Sequence, residues 1–119
     1  MTHVLIVEDD TTIRDGLAEL LELEGFSVSR AANGRESLSQ LNAGLRPDVI
    51  VLDLVMPVMD GLRFLKTVRG SAHGDIPVLV MTAVGDQVDL ANLAEDIGCP
   101  VLSKTGPLEP LLAALHAFD

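Results

Sequence analysis

Tryptophan and tyrosine are absent from this chain, and its aromatic content is three phenylalanines. A core without large rings has to be filled by Leu, Val, Ile and Ala, a mixture that suits helices packed on buried strands. Cys99 is the single cysteine, which excludes an internal disulfide, matches no zinc-ligand spacing and leaves a buried structural thiol as the expectation. Basic residues are scarce, 8 Lys and Arg against 18 Asp and Glu, and the formal charge of -10 argues against direct binding to nucleic acid or to an anionic membrane. Any role on DNA would need another module. No apolar run approaches membrane-spanning length and no signal-peptide pattern opens the chain, so the expectation is a soluble cytoplasmic protein. Low-complexity segments, internal repeats and an evident linker are also missing, and 119 residues leave room for one domain, 1–119.

What the chain does have is alternation. Val4-Leu5-Ile6-Val7, Val49-Ile50-Val51-Leu52 and Val78-Leu79-Val80-Met81 are short continuous apolar runs, each ending in a polar residue, as fully buried parallel strands require. The weaker segments Phe26 to Ala31 and Cys99 to Ser103 complete a set of five strands and read as sheet edges. Between them, Ile13, Leu17, Leu20, Leu21 and Leu108, Leu111, Leu112, Leu115 recur at helical spacing. Gly25, Asn33-Gly34, Asp60-Gly61 and Gly98 punctuate the helices, and Pro107 suits the first turn of the last one. Five strand-helix alternations predict an α/β fold, a doubly wound parallel sheet with helices on both faces. The functional crevice of such a fold lies beyond the carboxyl ends of its strands.

Those ends carry the chemistry. The first strand runs into Glu8-Asp9-Asp10, the third into Asp53, the fourth into Thr82-Ala83 and the fifth into Ser103-Lys104. Converging carboxylates repel one another unless a cation shares the site, and a hard divalent ion such as Mg2+, with Mn2+ as its substitute, takes oxygen ligands while keeping open positions. Lys104 adds a positive charge and Thr82 a hydroxyl, which together can stabilise a transferring phosphoryl group with Asp53 as nucleophile. Taken singly, these residues have plainer readings: an acidic helix start for Glu8-Asp9-Asp10, a strand-end turn for Asp53, a hydroxyl tied to the backbone for Thr82, a solvated side chain for Lys104. Asp10 keeps its plain reading as a helix start. Their shared placement at one end of the sheet favours the chemical reading for the rest.

Val7-Glu8-Asp9 with Arg14 five residues beyond Asp9, the run from Asp53 through Met56-Pro57 to Asp60-Gly61, Thr82-Ala83 and Lys104 closely resemble the receiver domain of two-component response regulators, over essentially the whole chain. The resemblance implies a flavodoxin-like five-stranded order 2-1-3-4-5, the order that receiver proteins share. It implies that Asp53 accepts a phosphoryl group from a phosphohistidine on a sensor histidine kinase or histidine phosphotransfer protein. It also implies that Asp9 and Asp53 bind magnesium directly, Glu8 through a water, and the backbone carbonyl of Val55 as a further ligand. Lys104 and Thr82 would meet the phosphoryl oxygens, and the altered surface would be read by a downstream protein or output domain. The resemblance marks the domain as a phosphoacceptor that assists its own phosphoryl transfer and dephosphorylation rather than an enzyme, and leaves a homodimer through its fourth helix, fifth strand and fifth helix open.

Three departures from the family pattern stand out. Val101 occupies the position three before Lys104 where an aromatic switch residue is usual. The proline that commonly follows the lysine is displaced to Pro107, so a trans Lys104-Thr105 bond is expected. Val55 and Val84, at positions that tune phosphoryl lifetime, cannot orient a water by hydrogen bonding. His3, His73 and His116 show no ligand spacing and read as exposed or peripheral, and Arg14, Arg63, Lys66 and Arg69 as solvated helix faces. An aspartate-nucleophile phosphatase would carry Asp-x-Asp after the first strand, and a flavin carrier a hydroxyl- or glycine-rich phosphate loop there; Glu8-Asp9-Asp10 fits neither. A degenerate receiver that only binds partners is disfavoured because the phosphorylation residues are all present.

Overall fold

The three continuous apolar runs form the middle of one sheet. In the computed structural model, which describes residues 2–53, 61–82, 90–103 and 107–118, the strands are β1 (His3–Val7), β2 (Ser27–Ala31), β3 (Val49–Asp53), β4 (Val78–Thr82) and β5 (Val101–Ser103). They pair in parallel in the order β2-β1-β3-β4-β5. β3 is central and buried along its whole length, as a strand covered on both faces must be. The two weaker segments lie at the edges, and both are shorter than the sequence pattern suggests, with Phe26, Cys99 and Pro100 outside the ladder.

Alternate residues of the strands face two separate cores. Leu5, Val7, Ile50, Leu52, Val78, Val80 and Val101 pack with Leu41 of α2 (Gly34–Asn42), with Phe64, Leu65 and Val68 of α3 (Gly61–Arg69) and with Ala94 and Ile97 of α4 (Leu90–Ile97). Val4, Ile6, Val49, Val51 and Leu79 pack on the other face with Ala18 and Leu21 of α1 (Thr11–Leu23) and with Leu111 and Leu115 of α5 (Glu109–His116). This is the doubly wound arrangement. Phe64 is the largest fully buried side chain, and its transfer from water is worth about 1.5–3 kcal/mol.

Local chemistry sets the helix ends. Asp10 caps α1, its Oδ1 accepting from the Ile13 N–H at 3.0 Å, and Asn33 caps α2 through the Glu36 N–H at 2.8 Å. Gly25 and Gly98, with φ of 95° and 72°, turn the chain out of α1 and α4 in the left-handed conformation that side chains resist. The last helix differs from expectation. Its first-turn proline is Pro110, Leu108 is the N-cap, and Pro107 precedes the cap. Two prolines three residues apart both suit a helix entry, and the later one won. The Lys104-Thr105 bond, Val55, Val84 and Asp60 lie outside the described residues.

Candidate functional site

β1 and β3 are neighbours, and the chain order reverses between them because β2 returns to one side of β1 and β3 takes the other. That reversal opens a crevice beyond their carboxyl ends. The register pairs Val7 with Leu52 and Asp53 with Met81, so Glu8, Asp53 and Thr82 follow one another across three adjacent strand ends. All three are buried, at 3%, 7% and 1% exposure, whereas Asp9 in the following turn is exposed.

Glu8, Asp9 and Asp53 each offer a carboxylate oxygen within 4.8 Å of the others, a grouping that could hold a metal ion. Asp10 stays outside it, engaged as the cap of α1. Carboxylates this close, two of them buried, raise the free energy of the ion-free site through mutual repulsion, and a set made only of oxygens fits a hard divalent cation. The turn bearing these residues is tightly tied. The Glu8 N–H donates to Ala31 O at 3.1 Å, the Asp9 N–H donates to Glu8 Oε2 at 3.1 Å, and Arg14 Nη1 donates to Glu8 O at 3.0 Å. A pocket of about 110 Å³, lined mainly by Ile6, Ile13, Leu17, Val51, Met81 and Leu108, opens beside Glu8 and Asp53 under α1. Lys104 and Val55 lie outside the described residues, so the sequence alone assigns them.

Three residues depart from their expected roles. Arg14 is not a solvated helix side chain: it is 16% exposed and folds back onto the end of β1. Arg69 reaches from α3 to the end of α4, donating to Ile97 O at 2.6 Å, to Gly98 O at 2.9 Å and to Cys99 Sγ at 2.8 Å. His73 is buried, its Nε2 bonded to Asn42 Oδ1 at 3.0 Å between the end of α2 and the loop before β4. Helical periodicity places Arg14 and Arg69 on a face but does not report what a long side chain reaches, and no sequence signal marked His73. Cys99 is buried as expected, and burial pushes its thiol above the ordinary value of 9.0 against the opposing pull of Arg69.

Parallel order 2-1-3-4-5 with an acidic cluster at the switch point defines the class, and the sequence comparison agrees. The chain belongs to the response regulator receiver domain family, which it matches over residues 4–116. It is 42% identical over 117 residues to the response regulator MprA of Mycolicibacterium vanbaalenii, covering 98% of this chain and 49% of that protein. The chain thus spans about half the length of the curated relatives it matches. The chemotaxis protein CheY4 of Vibrio cholerae superposes with a TM-score of 0.83 at 34% identity, covering 100% of this chain and 99% of that one. The response regulator TrrA of Thermotoga maritima, solved in complex with Mg2+-BeF, gives a TM-score of 0.83 at 26% identity over 100% of both chains. Among the described residues, no helix is long and apolar enough to cross a membrane.

Proposed function

We propose that the domain is the phosphoacceptor switch of a two-component or phosphorelay system, with Asp53 as acceptor and Mg2+ as its cofactor. The observation that carries this reading is the convergence of Glu8, Asp9 and Asp53 at the ends of neighbouring strands. Asp9 and Asp53 would hold the ion directly, Glu8 through a water and Val55 through its carbonyl. Bound there, the ion supplies positive charge that screens the carboxylates and stabilises phosphoryl oxygens. The TrrA structure with Mg2+-BeF supports this assignment by analogy.

In the transfer step a carboxylate oxygen of Asp53 forms a bond to phosphorus as the phosphorus–nitrogen bond of a phosphohistidine breaks, and the imidazole leaves and takes up a proton. The histidine belongs to a sensor kinase or a phosphotransfer protein. Thr82, buried one residue beyond the level of Asp53, donates its hydroxyl to a phosphoryl oxygen, and Lys104 provides the second positive charge. Because Val55 and Val84 offer no group to orient water, the aspartyl phosphate is long-lived. The domain acts on no separate substrate; it assists its own phosphorylation and slow dephosphorylation in the cytoplasm. Its changed surface is read by an output domain or downstream protein, and any DNA contact is made by such a partner rather than by this acidic domain.

Val101 is buried among the residues that pack β4 and β5 against α2, α3 and α4. No aromatic ring is there to swing inward, so the signal travels through β5 and α4. Incubation with Mg2+ and acetyl phosphate, read by intact mass, tests the central reading. The protein gains one phosphoryl group with Mg2+ present and none when EDTA is added before the donor, and once formed the label persists for hours. A protein that takes up no phosphoryl group from any small donor is not a phosphoacceptor.

A further inference from the structure

The peptide group joining Glu8 to Asp9 is held at both of its polar atoms. Its N–H donates to Glu8 Oε2 at 3.1 Å, and its carbonyl oxygen accepts from Arg14 Nη1 at 3.0 Å. Both residues of this peptide belong to the carboxylate cluster, so rotation of its plane would displace two of the three oxygens at once. Within the turn, the Glu8 N–H is bound to β2 through Ala31 O and Asp10 is committed to the Ile13 N–H. The carbonyl of Glu8 lies past the last β1–β3 pair, Val7 with Leu52, so the Arg14 contact takes over beyond the ladder.

The helix dipole does not explain the placement. Arg14 is the fourth residue of α1, next to the positive end of the helix dipole, where a cation is disfavoured. Its other contacts are loose, to Thr11 Oγ1 at 3.5 Å and to Asp15 Oδ1 at 3.9 Å, and Asp15 is shared with Arg30 at 3.6 Å. Among the described residues the carbonyl of Glu8 is its one short side-chain bond, and the side chain that makes it is 16% exposed.

We propose that Arg14 is a positioning residue for the metal site: it fixes the Glu8-Asp9 peptide plane and thereby the geometry with which the two carboxylates meet a divalent cation. This inference rests on reading Glu8, Asp9 and Asp53 as a metal site. Geometry and charge have opposite consequences here, which makes the roles separable. If Arg14 acted only through its charge, its removal would tighten cation binding, because a positive group would have left the site. If it only supported the fold, its removal would lower stability and leave affinity unchanged.

The test is a titration with Mn2+ as the probe, free ion being counted by electron paramagnetic resonance, on the wild type, Arg14→Met and Arg14→Lys, with far-UV circular dichroism as the check of folding. Arg14→Met should bind at least threefold more weakly, and Arg14→Lys, which keeps the charge and one donor, should fall between it and the wild type. Affinity for Arg14→Met that is tighter or less than threefold weaker overturns the inference. Should Arg14→Met fail to fold, Arg14→Lys decides, equal affinity to the wild type overturning the inference and weaker affinity supporting it. A wild type that binds no Mn2+ instead overturns the metal site itself, and the inference with it.

Discussion

Arg69 does at one end of the molecule what no residue type in its helix pattern announces: it crosses from α3 and closes the end of α4, bonding the carbonyls of Ile97 and Gly98 and the sulfur of Cys99. Last-turn carbonyls are left open by a helix and carry its negative end, so a guanidinium is well matched to them. Replacement by Met should cost about 1–2 kcal/mol in urea unfolding, since two charged hydrogen bonds to carbonyls and one to sulfur are lost at a partly exposed site. Hydrogen exchange at the end of α4 should speed up more than elsewhere; uniform change would show that the contact is incidental. Cys99 gives a pH dependence with a definite sign. Burial, the larger cause, raises the thiol above 9.0, and Arg69 opposes it. A raised folded value means that the protonated thiol's contribution is complete below the unfolded pKa and is lost as pH rises through the raised one. Urea midpoints between about pH 7 and about pH 10 should therefore fall more for the wild type than for Cys99→Ala. Arg14, Arg69 and His73 were illegible in the sequence for one reason: each is defined by a partner on another element, at separations of 6, 28 and 31 residues.

Elements were far more legible, because their ends are decided locally. Asp10, Asn33, Gly25 and Gly98 act within a few residues of themselves, and each stands where its chemistry requires. Asn33→Ala should cost about 1 kcal/mol, the usual loss for an N-cap whose side chain bonds the first turn. An unchanged thermal midpoint would mean that water replaces the cap at no loss. The entry to α5 was misplaced because Pro107 and Pro110 compete for one rule, and periodicity cannot choose between them. Strand identity was plain in the buried runs of β1, β3 and β4, where nothing but a covered strand fits. β2 and β5 carry weaker patterns because an edge strand needs less apolar cover, and β5 is also short, three residues against five in β2. Val101 belongs to this scale. It sits in the core shared with α4, so a change at Thr82 can reach α4 by backbone displacement of β5.

Across the whole molecule, a domain with a charge of -10 gathers three of its carboxylates at one point. That concentration lowers the stability of the ion-free fold, and a bound cation would relieve it. Asp9→Asn should melt higher than the wild type in EDTA, because one repelling charge is gone. In Mg2+ at about ten times its Kd the wild type should gain about 1.4 kcal/mol by mass action, a rise of roughly 5 °C or more, and the variant should gain little. A wild type indifferent to Mg2+ would argue against a metal site. The grouping of Glu8, Asp9 and Asp53 was legible because strand-end carboxylates can be counted along the chain once the doubly wound order is recognised. The tie that orients them was not, since it runs from a helix back to a backbone carbonyl.

Asp53 as the acceptor is the centre of this account, and the position of the phosphoryl group tests it most directly. After phosphorylation with acetyl phosphate and Mg2+, reduction with borohydride converts an aspartyl phosphate to homoserine, which peptide mass spectrometry locates. Homoserine should be found at position 53 of the wild type and nowhere in Asp53→Asn. Homoserine at Asp9, or a phosphoryl group retained on a histidine, would contradict it.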